Sequence, residues 1–109
     1  MKRGEIVSVA EPGGDYSRKP RPAVIVQNDI FNPTHASVTV CLITGHLTGF
    51  SLFRIPVPAD EATGLEKASE VEIDKVQAVR VHRVGGRIGH MPDAIMGEVD
   101  RALKRWFDL

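Results

Sequence analysis

Short apolar runs separated by turn residues make up most of the chain before residue 85. The first run, residues 6–9, is rich in β-branched side chains and ends before the turn signal Pro12-Gly13-Gly14-Asp15. Apolar runs of this length, bounded by Gly, Pro, Asn and Asp, are typical of strands. Three more such runs follow, and they cover residues 21–28, 37–44 and 50–57.

The segment from residue 70 to residue 84 continues the strand pattern with a strict alternation at its start. Two apolar residues there alternate with three carboxylates, in the order Glu70, Val71, Glu72, Ile73, Asp74. Successive side chains of a strand point to opposite faces, so the alternation predicts a half-buried strand with one polar face. Residues 75–84 continue in the same style and stop before Gly85-Gly86.

The last eighteen residues, 92–109, have a different period. Pro92 and Asp93 suit the start of a helix. Apolar side chains then recur at three- and four-residue spacing, at Ile95, Val99, Ala102, Leu103 and Trp106. This spacing predicts an amphipathic helix that packs on a sheet.

Several short strands closed by one helix predict a mainly β fold with a C-terminal helix. The strands are close together in sequence, which favours a small, strongly bent sheet or a partly open barrel. The chain has 109 residues, and domains typically hold ~100–150 residues. We therefore expect a single domain over residues 1–109.

Charge is balanced overall but unevenly distributed. Fourteen Lys and Arg face fourteen Asp and Glu, so the chain lacks the basic excess of many nucleic-acid-binding proteins. Basic residues nevertheless cluster at Arg18-Lys19-Pro20-Arg21 and again at Arg80, Arg83 and Arg87, whereas residues 60–74 hold six acids against one Lys. This distribution allows a locally basic surface on a protein of zero net charge.

Several classes of protein are disfavoured by what the sequence lacks. Cys41 is the single cysteine, so no disulfide framework can form, and a reducing, cytoplasmic location fits. The start of the chain has no signal-peptide pattern, and polar residues interrupt the uncharged stretch 30–53 before it reaches membrane-spanning length. Glycine-rich phosphate loops, paired Cys/His spacings and a Gly-x-Ser-x-Gly elbow are absent, so we expect neither a cofactor nor a metal.

Five segments, taken in order, resemble the MazF/PemK toxin endoribonucleases, the mRNA interferases of type II toxin–antitoxin systems. They are Met1–Val7, Lys19–Asp29 with its Arg-Pro-Ala-Val run, Val38–Thr44, Val71–Val79, and Arg87–Gly89 before the terminal helix. The resemblance implies a small SH3-like barrel and a homodimer. It also implies metal-independent, sequence-specific cleavage of single-stranded RNA through attack of the 2′-hydroxyl, growth inhibition, and a cognate antitoxin whose disordered tail covers the active groove.

Arg21 matches the catalytic Arg of that family. Cleaving RNA without a metal places charge on the phosphoryl oxygens in the transition state, and a fixed guanidinium is a planar donor that fits phosphate. Its pKa lies above ~12, so a charge-stabilising or proton-donating role suits it better than that of a general base. The alternative is a loop Arg that serves solubility.

Thr44 matches the family's Thr at the end of an apolar strand. Its hydroxyl can donate to a phosphate oxygen, and Gly45 lets the backbone approach closely. Many members have a Ser directly after this Thr, whereas this chain has Gly45. We therefore expect His46 or Thr48 to supply the polar contact that the Ser would make. The alternative is a β-branched residue chosen for strand propensity.

Asp74 matches an Asp that some members use as a general base. A carboxylate near Arg21 can accept the 2′-hydroxyl proton. In those members an Arg stands two positions earlier and a basic residue is common three positions later, where this chain has Glu72 and Gln77. The alternative for Asp74 is a structural hydrogen-bond acceptor.

Further RNA contacts are expected from the basic loop and from the later strand. Tyr16 can stack on a base, and Arg18 and Lys19 can hold phosphates; the alternative for this loop is a solvated charged surface. Gln77 completes the predicted RNA-binding set of Tyr16, Arg18, Lys19, His46, Thr48 and Gln77.

Two other functions stay open for such a fold. One is a non-catalytic toxin relative that binds a protein target such as a gyrase, which the departures at Glu72 and Gln77 favour. The other is an SH3-like binding module, since a fold does not determine a function.

Overall fold

The structure is a computed structural model, and it describes residues 1–10 and 20–109. The predicted class, mainly β with one C-terminal helix, is confirmed. A 3₁₀ turn at Val81–Arg83 separates the last two strands. The elements are β1 (Glu5–Val9), β2 (Arg21–Ile25), β3 (Ser37–Thr44), β4 (Arg54–Val57), β5 (Ser69–Arg80), β6 (Val84–His90) and α1 (Asp93–Phe107).

The six strands form one antiparallel sheet in the order β4-β5-β3-β2-β1-β6. The sheet is open, with β4 and β6 at its edges, and it bends enough to bring these edges near each other. The segment after β4 bridges the gap, since the His90 amide donates to the Ala62 carbonyl over 2.7 Å. This arrangement agrees with the expected bent sheet or partly open barrel.

The bridge depends on two glycines. Gly64 has a φ of +66°, and a β-carbon there would lie 2.1 Å from the Ile88 carbonyl oxygen. A β-carbon on Gly89 would lie 2.2 Å from the Thr63 carbonyl oxygen. The two backbones can approach this closely only because neither residue has a side chain.

Apolar side chains fill both faces of the sheet. One cluster joins β1–β5 to the helix through Val99 and Ala102, as the helical spacing predicts, and through Met96, which the predicted set did not include, whereas Trp106 is 49% exposed. A second cluster covers the opposite face of the strands, with Val7, Ile25 and Val40 among its members. Cys41 is fully buried in the first cluster, and burial raises the pKa of its thiol to about 12.

Three strand boundaries differ from the sequence expectation. β2 ends at Ile25 rather than Asn28, because the side-chain oxygen of Gln27 takes over the pairing and accepts from the Thr39 amide over 3.1 Å. β4 begins at Arg54 rather than Phe50, because residues 50–53 form a turn in which the Arg54 amide donates to the Phe50 carbonyl over 2.9 Å.

The third difference concerns Gly85-Gly86, which lie within a strand instead of ending one. β5 stops at Arg80, and β6 begins at Val84 and runs through both glycines. A β-carbon on Gly85 would lie 2.5 Å from the Ser8 hydroxyl, so glycine here permits close approach to β1.

The described part of the chain contains no helix that is both long enough and apolar enough to cross a membrane.

Candidate active site

Strand pairing places Arg21 beside Thr44. β2 and β3 pair antiparallel with Ala23 opposite Leu42, and continuing this register by two residues sets Arg21 opposite Thr44. Both residues line a cavity of about 440 Å³ that opens between the start of β2, the end of β3 and the segment before β5. The structure therefore brings together two of the three predicted catalytic residues.

Glu72 anchors the guanidinium of Arg21. The Glu72 carboxylate is buried. Its Oε1 atom accepts a hydrogen bond from Arg21 Nη2, and the two groups form an ion pair. The same guanidinium nitrogen lies 3.5 Å from the Ile43 carbonyl oxygen. A third of the Arg21 side chain, 33%, stays exposed, so the cation is held from behind and still reaches the cavity.

Thr44 lies at the end of β3, and the turn that follows orients its hydroxyl. The His46 amide donates to Thr44 Oγ1 over 3.1 Å, so the hydroxyl proton remains to be donated to a ligand. The His46 side chain is exposed in the same turn.

Thr48 has a different partner from the one expected. Its amide and hydroxyl both donate to Glu70 Oε1, at 3.1 and 3.0 Å, and the Gly49 amide donates to Glu70 Oε2 at 2.9 Å. Burial raises the pKa of Glu70, but these hydrogen bonds outweigh it and leave that pKa below its usual value. Thr48 therefore fixes the turn after β3.

Asp74 is engaged by Arg54. Arg54 Nε and Nη2 donate to its two carboxylate oxygens at 3.0 and 3.2 Å. This bidentate hydrogen bond outweighs burial, so the pKa of Asp74 is lowered and the pKa of Arg54 is raised. Asp74 is not among the described residues that line the cavity of Arg21 and Thr44.

The carboxylate face of β5 is therefore covered instead of solvated. Arg54 Nη2 lies 3.7 Å from Glu72 Oε2, which links Arg21, Glu72, Arg54 and Asp74 in one row of alternating charge. The expectation of a half-buried strand is wrong at Glu70 and Glu72, which are buried along with their apolar neighbours. Each carboxylate accepts hydrogen bonds or ion pairs from another part of the chain, and these contacts offset the free-energy cost of burying its charge.

A second cavity, of about 310 Å³, opens on the other side of Arg21. Gln77 lines it, so this predicted RNA-binding residue does lie near Arg21. Arg80 and Arg83 line it too. They make this cavity the locally basic surface that the uneven charge distribution allowed. In the sequence, the only indication of this basic surface is the clustering of Arg80, Arg83 and Arg87.

Lys67 is a site residue that sequence reasoning missed. It lines the cavity with Arg21 and Thr44, and its side chain crosses Gly45. Its only distinguishing feature in the sequence is that it is the single base among the six acids of residues 60–74. Three predicted RNA-binding residues, Tyr16, Arg18 and Lys19, lie outside the described residues.

Comparison with known proteins gives a consistent result. A family model described as "PemK-like, MazF-like toxin of type II toxin-antitoxin system" matches residues 2–107. The chain is 42% identical over 103 residues to the probable endoribonuclease MazF of Mycolicibacterium smegmatis, covering 94% of this chain and 93% of that protein. It is 29% identical over 116 residues to endoribonuclease MazF9 of Mycobacterium tuberculosis, covering 100% and 98%.

A solved structure, Mycobacterium tuberculosis toxin MazF-mt6, is similar in fold. It superimposes with a TM-score of 0.78 at 28% sequence identity, covering 95% of this chain and 97% of that one.

Proposed function

The chain belongs to the PemK-like, MazF-like toxins of type II toxin–antitoxin systems and is an endoribonuclease, and from this premise we propose that Arg21 and Thr44 form its catalytic site. The observation that carries the proposal is that Arg21 and Thr44 line one open cavity, where β2 and β3 run side by side. The proposed substrate is single-stranded RNA, cut without a metal ion.

The proposed reaction is an internal displacement at phosphorus. The 2′-oxygen attacks the adjacent phosphorus, the bond from phosphorus to the 5′-oxygen breaks, and the products are a cyclic phosphate and a 5′-hydroxyl end. The proton lost from the 2′-hydroxyl is balanced by the proton gained at the 5′-oxygen. Negative charge grows on the non-bridging oxygens, where the Arg21 guanidinium and the Thr44 hydroxyl stabilise it.

Glu72 is proposed as the positioning residue for Arg21. Its buried carboxylate holds the guanidinium of a residue that lines the cavity. A preorganised cation needs no reorientation as charge develops, so this support lowers the barrier. Of the two roles left open for Asp74, we propose the structural one, since Arg54 occupies both of its oxygens.

The RNA strand is proposed to pass Arg21 and continue into the second cavity. Gln77, Arg80 and Arg83 line that cavity, and two guanidinium groups there suit the phosphates that flank the cut. His46 lies on the turn beside Thr44 and is proposed as a further contact. Tyr16, Arg18 and Lys19 keep their proposed roles in stacking and phosphate binding.

The proposed partners follow from the family. They are a cognate antitoxin, which restrains a toxin that otherwise inhibits growth, and a second copy of the chain in a homodimer. We propose a single domain over residues 1–109, acting in the cytoplasm where mRNA is found.

The experiment that tests the function is RNA cleavage in EDTA. Purified protein, free of antitoxin, is incubated with a long single-stranded RNA beside Arg21→Ala and the control Arg101→Ala, which changes an exposed Arg of the helix. We expect discrete cuts from the wild type and the control and none from a folded Arg21→Ala, with primer extension mapping the cut ends. Unchanged cutting by Arg21→Ala would overturn the site, and growth inhibition without any cuts would favour the gyrase-type binder.

A further inference from the structure

The side chain of Lys67 lies directly over Gly45. A β-carbon built on Gly45 would fall 2.1 Å from Lys67 Cε and 3.0 Å from Nζ. Contacts this short are impossible between real atoms, so any side chain at position 45 would displace the end of Lys67. The lysine occupies this place only because residue 45 is glycine.

The segment that carries Lys67 is held at both ends. Before it, the His90 amide donates to the Ala62 carbonyl, and Gly64 packs on the backbone of Ile88. After it, the Ser69 hydroxyl donates to the Lys67 carbonyl over 2.8 Å. The backbone of Lys67 is therefore positioned by the fold, and its exposed four-carbon side chain extends over Gly45 from there.

The ammonium of Lys67 has no carboxylate at ion-pair distance within the part of the chain that the structure describes. This is notable because Lys67 belongs to a strongly acidic segment. Glu66 also lines the cavity but is not at ion-pair distance from Lys67, and Glu70 and Glu72 are bound by the turn after β3 and by the two arginines. The lysine charge is thus available to an anion that enters the cavity.

We infer that Lys67 is a second phosphate-binding cation of the active site, in the cavity that it lines with Arg21, and that glycine at position 45 admits it. The inference rests on the proposed function. The ammonium and the guanidinium bind the non-bridging oxygens of one RNA phosphate from two sides, and the Thr44 hydroxyl donates between them.

The test compares rates of cleavage of a short RNA that contains one mapped cut site. Lys67→Met keeps the length of the side chain and removes its charge, and Lys104→Met is the matched control on an exposed lysine of the helix. We expect Lys67→Met to lower kcat/KM about 10- to 100-fold and Lys104→Met to stay within about two-fold of the wild type. Wild-type rates from a folded Lys67→Met would overturn the inference.

Gly45→Ala tests the steric part of the inference. Gly45 does not have a positive φ, so alanine fits the backbone there without strain, and the substitution acts by moving Lys67. We expect Gly45→Ala to slow cleavage in the wild type and to have no further effect in Lys67→Met. If the rate of the double variant falls by the product of the two single-variant factors, Gly45 acts independently of the lysine. That result would overturn this part of the inference.

The outcomes also separate this inference from the proposed function. If the wild type cuts RNA, Arg21→Ala does not, and Lys67→Met cuts normally, the catalytic site stands and the second cation is wrong. If the wild type cuts no RNA at all, the function itself has failed. Circular dichroism and thermal melts of each variant confirm that lost activity is not lost folding.

Discussion

Arg21 and Glu72 are joined by an ion pair across 51 positions of the chain, and this pair turns a loop-side arginine into a fixed cation at the edge of a cavity. Glu72 stands where family members with a catalytic Asp have an Arg. In this chain the residue at that position is a carboxylate, and its charge is matched by Arg21 of β2 and Arg54 of β4.

Removing the Glu72 carboxylate should weaken both catalysis and the fold. In Glu72→Ala, Arg21 and Arg54 lose a shared buried partner, so we expect a loss of about 1–3 kcal/mol in the free energy of unfolding. We also expect cleavage to fall at least 10-fold with the larger change in kcat, since Arg21 loses its orientation. Urea denaturation and steady-state rates measure the two effects.

Glu72→Gln is the control for this prediction. The amide oxygen can still accept from Arg21, so we expect most of the stability and part of the activity to return. A Glu72→Ala variant as active as the wild type would contradict the positioning role.

Replacing Thr44 by Val should reduce cleavage without unfolding the protein. The two side chains have the same shape, and the change removes the hydroxyl that we propose as a phosphate donor. We expect a fall of about 10- to 100-fold in kcat/KM, because loss of one such donor costs rates of this order. Thr44→Ser keeps the hydroxyl and should retain activity; if Thr44→Val and Thr44→Ser have equal rates, the hydroxyl is not used.

Acid should unfold the protein partly through Asp74. Its pKa is lowered in the folded state by Arg54, so its ionised form contributes stability above the unfolded pKa of about 3.9. That contribution is lost as the pH falls through the lower folded-state pKa. We therefore expect the free energy of unfolding to drop between about pH 5 and the acid limit, and Asp74→Asn to flatten this dependence. Urea titrations across that range measure both curves.

The same variant decides the role of Asp74 in catalysis. We expect Asp74→Asn to lose stability but to retain cleavage at neutral pH under conditions where it is folded. A folded Asp74→Asn that is inactive, with the pH profile of kcat altered, would instead make Asp74 the general base.

Arg80 and Arg83 should contribute to RNA affinity through charge. Binding is measured by fluorescence anisotropy with an RNA that carries a 2′-deoxy sugar at the cut site and is therefore not cleaved. Each phosphate contact to a single strand adds about 0.7 to the slope of log affinity against log salt. We expect Arg80→Ala with Arg83→Ala to weaken binding and to reduce the slope by about 1.4, whereas Arg101→Ala should leave both unchanged. An unaltered slope in the double variant would place the RNA elsewhere.

Much of the architecture was readable in the residue pattern. The β-branched runs marked β1 and β3, and the three- and four-residue spacing after Pro92 marked the helix, because these periods record which face of an element is buried. The resemblance to a known family pointed to Arg21 and Thr44. Antiparallel pairing of their strands then explains why two positions distant in sequence line one cavity.

Tertiary structure decided the features that depend on distant partners. Alternation along β5 predicted an exposed acidic face, but arginines from β2 and β4 and the turn at Thr48 cover Glu70 and Glu72. Gly85 looked like a strand end and proved to be a close contact with β1. Lys67 lines the cavity of Arg21 and Thr44 only because the chain after β4 folds back over Gly45. Local periodicity records the burial of a face, whereas the pairing of charges depends on register and on bends that bring separate segments together.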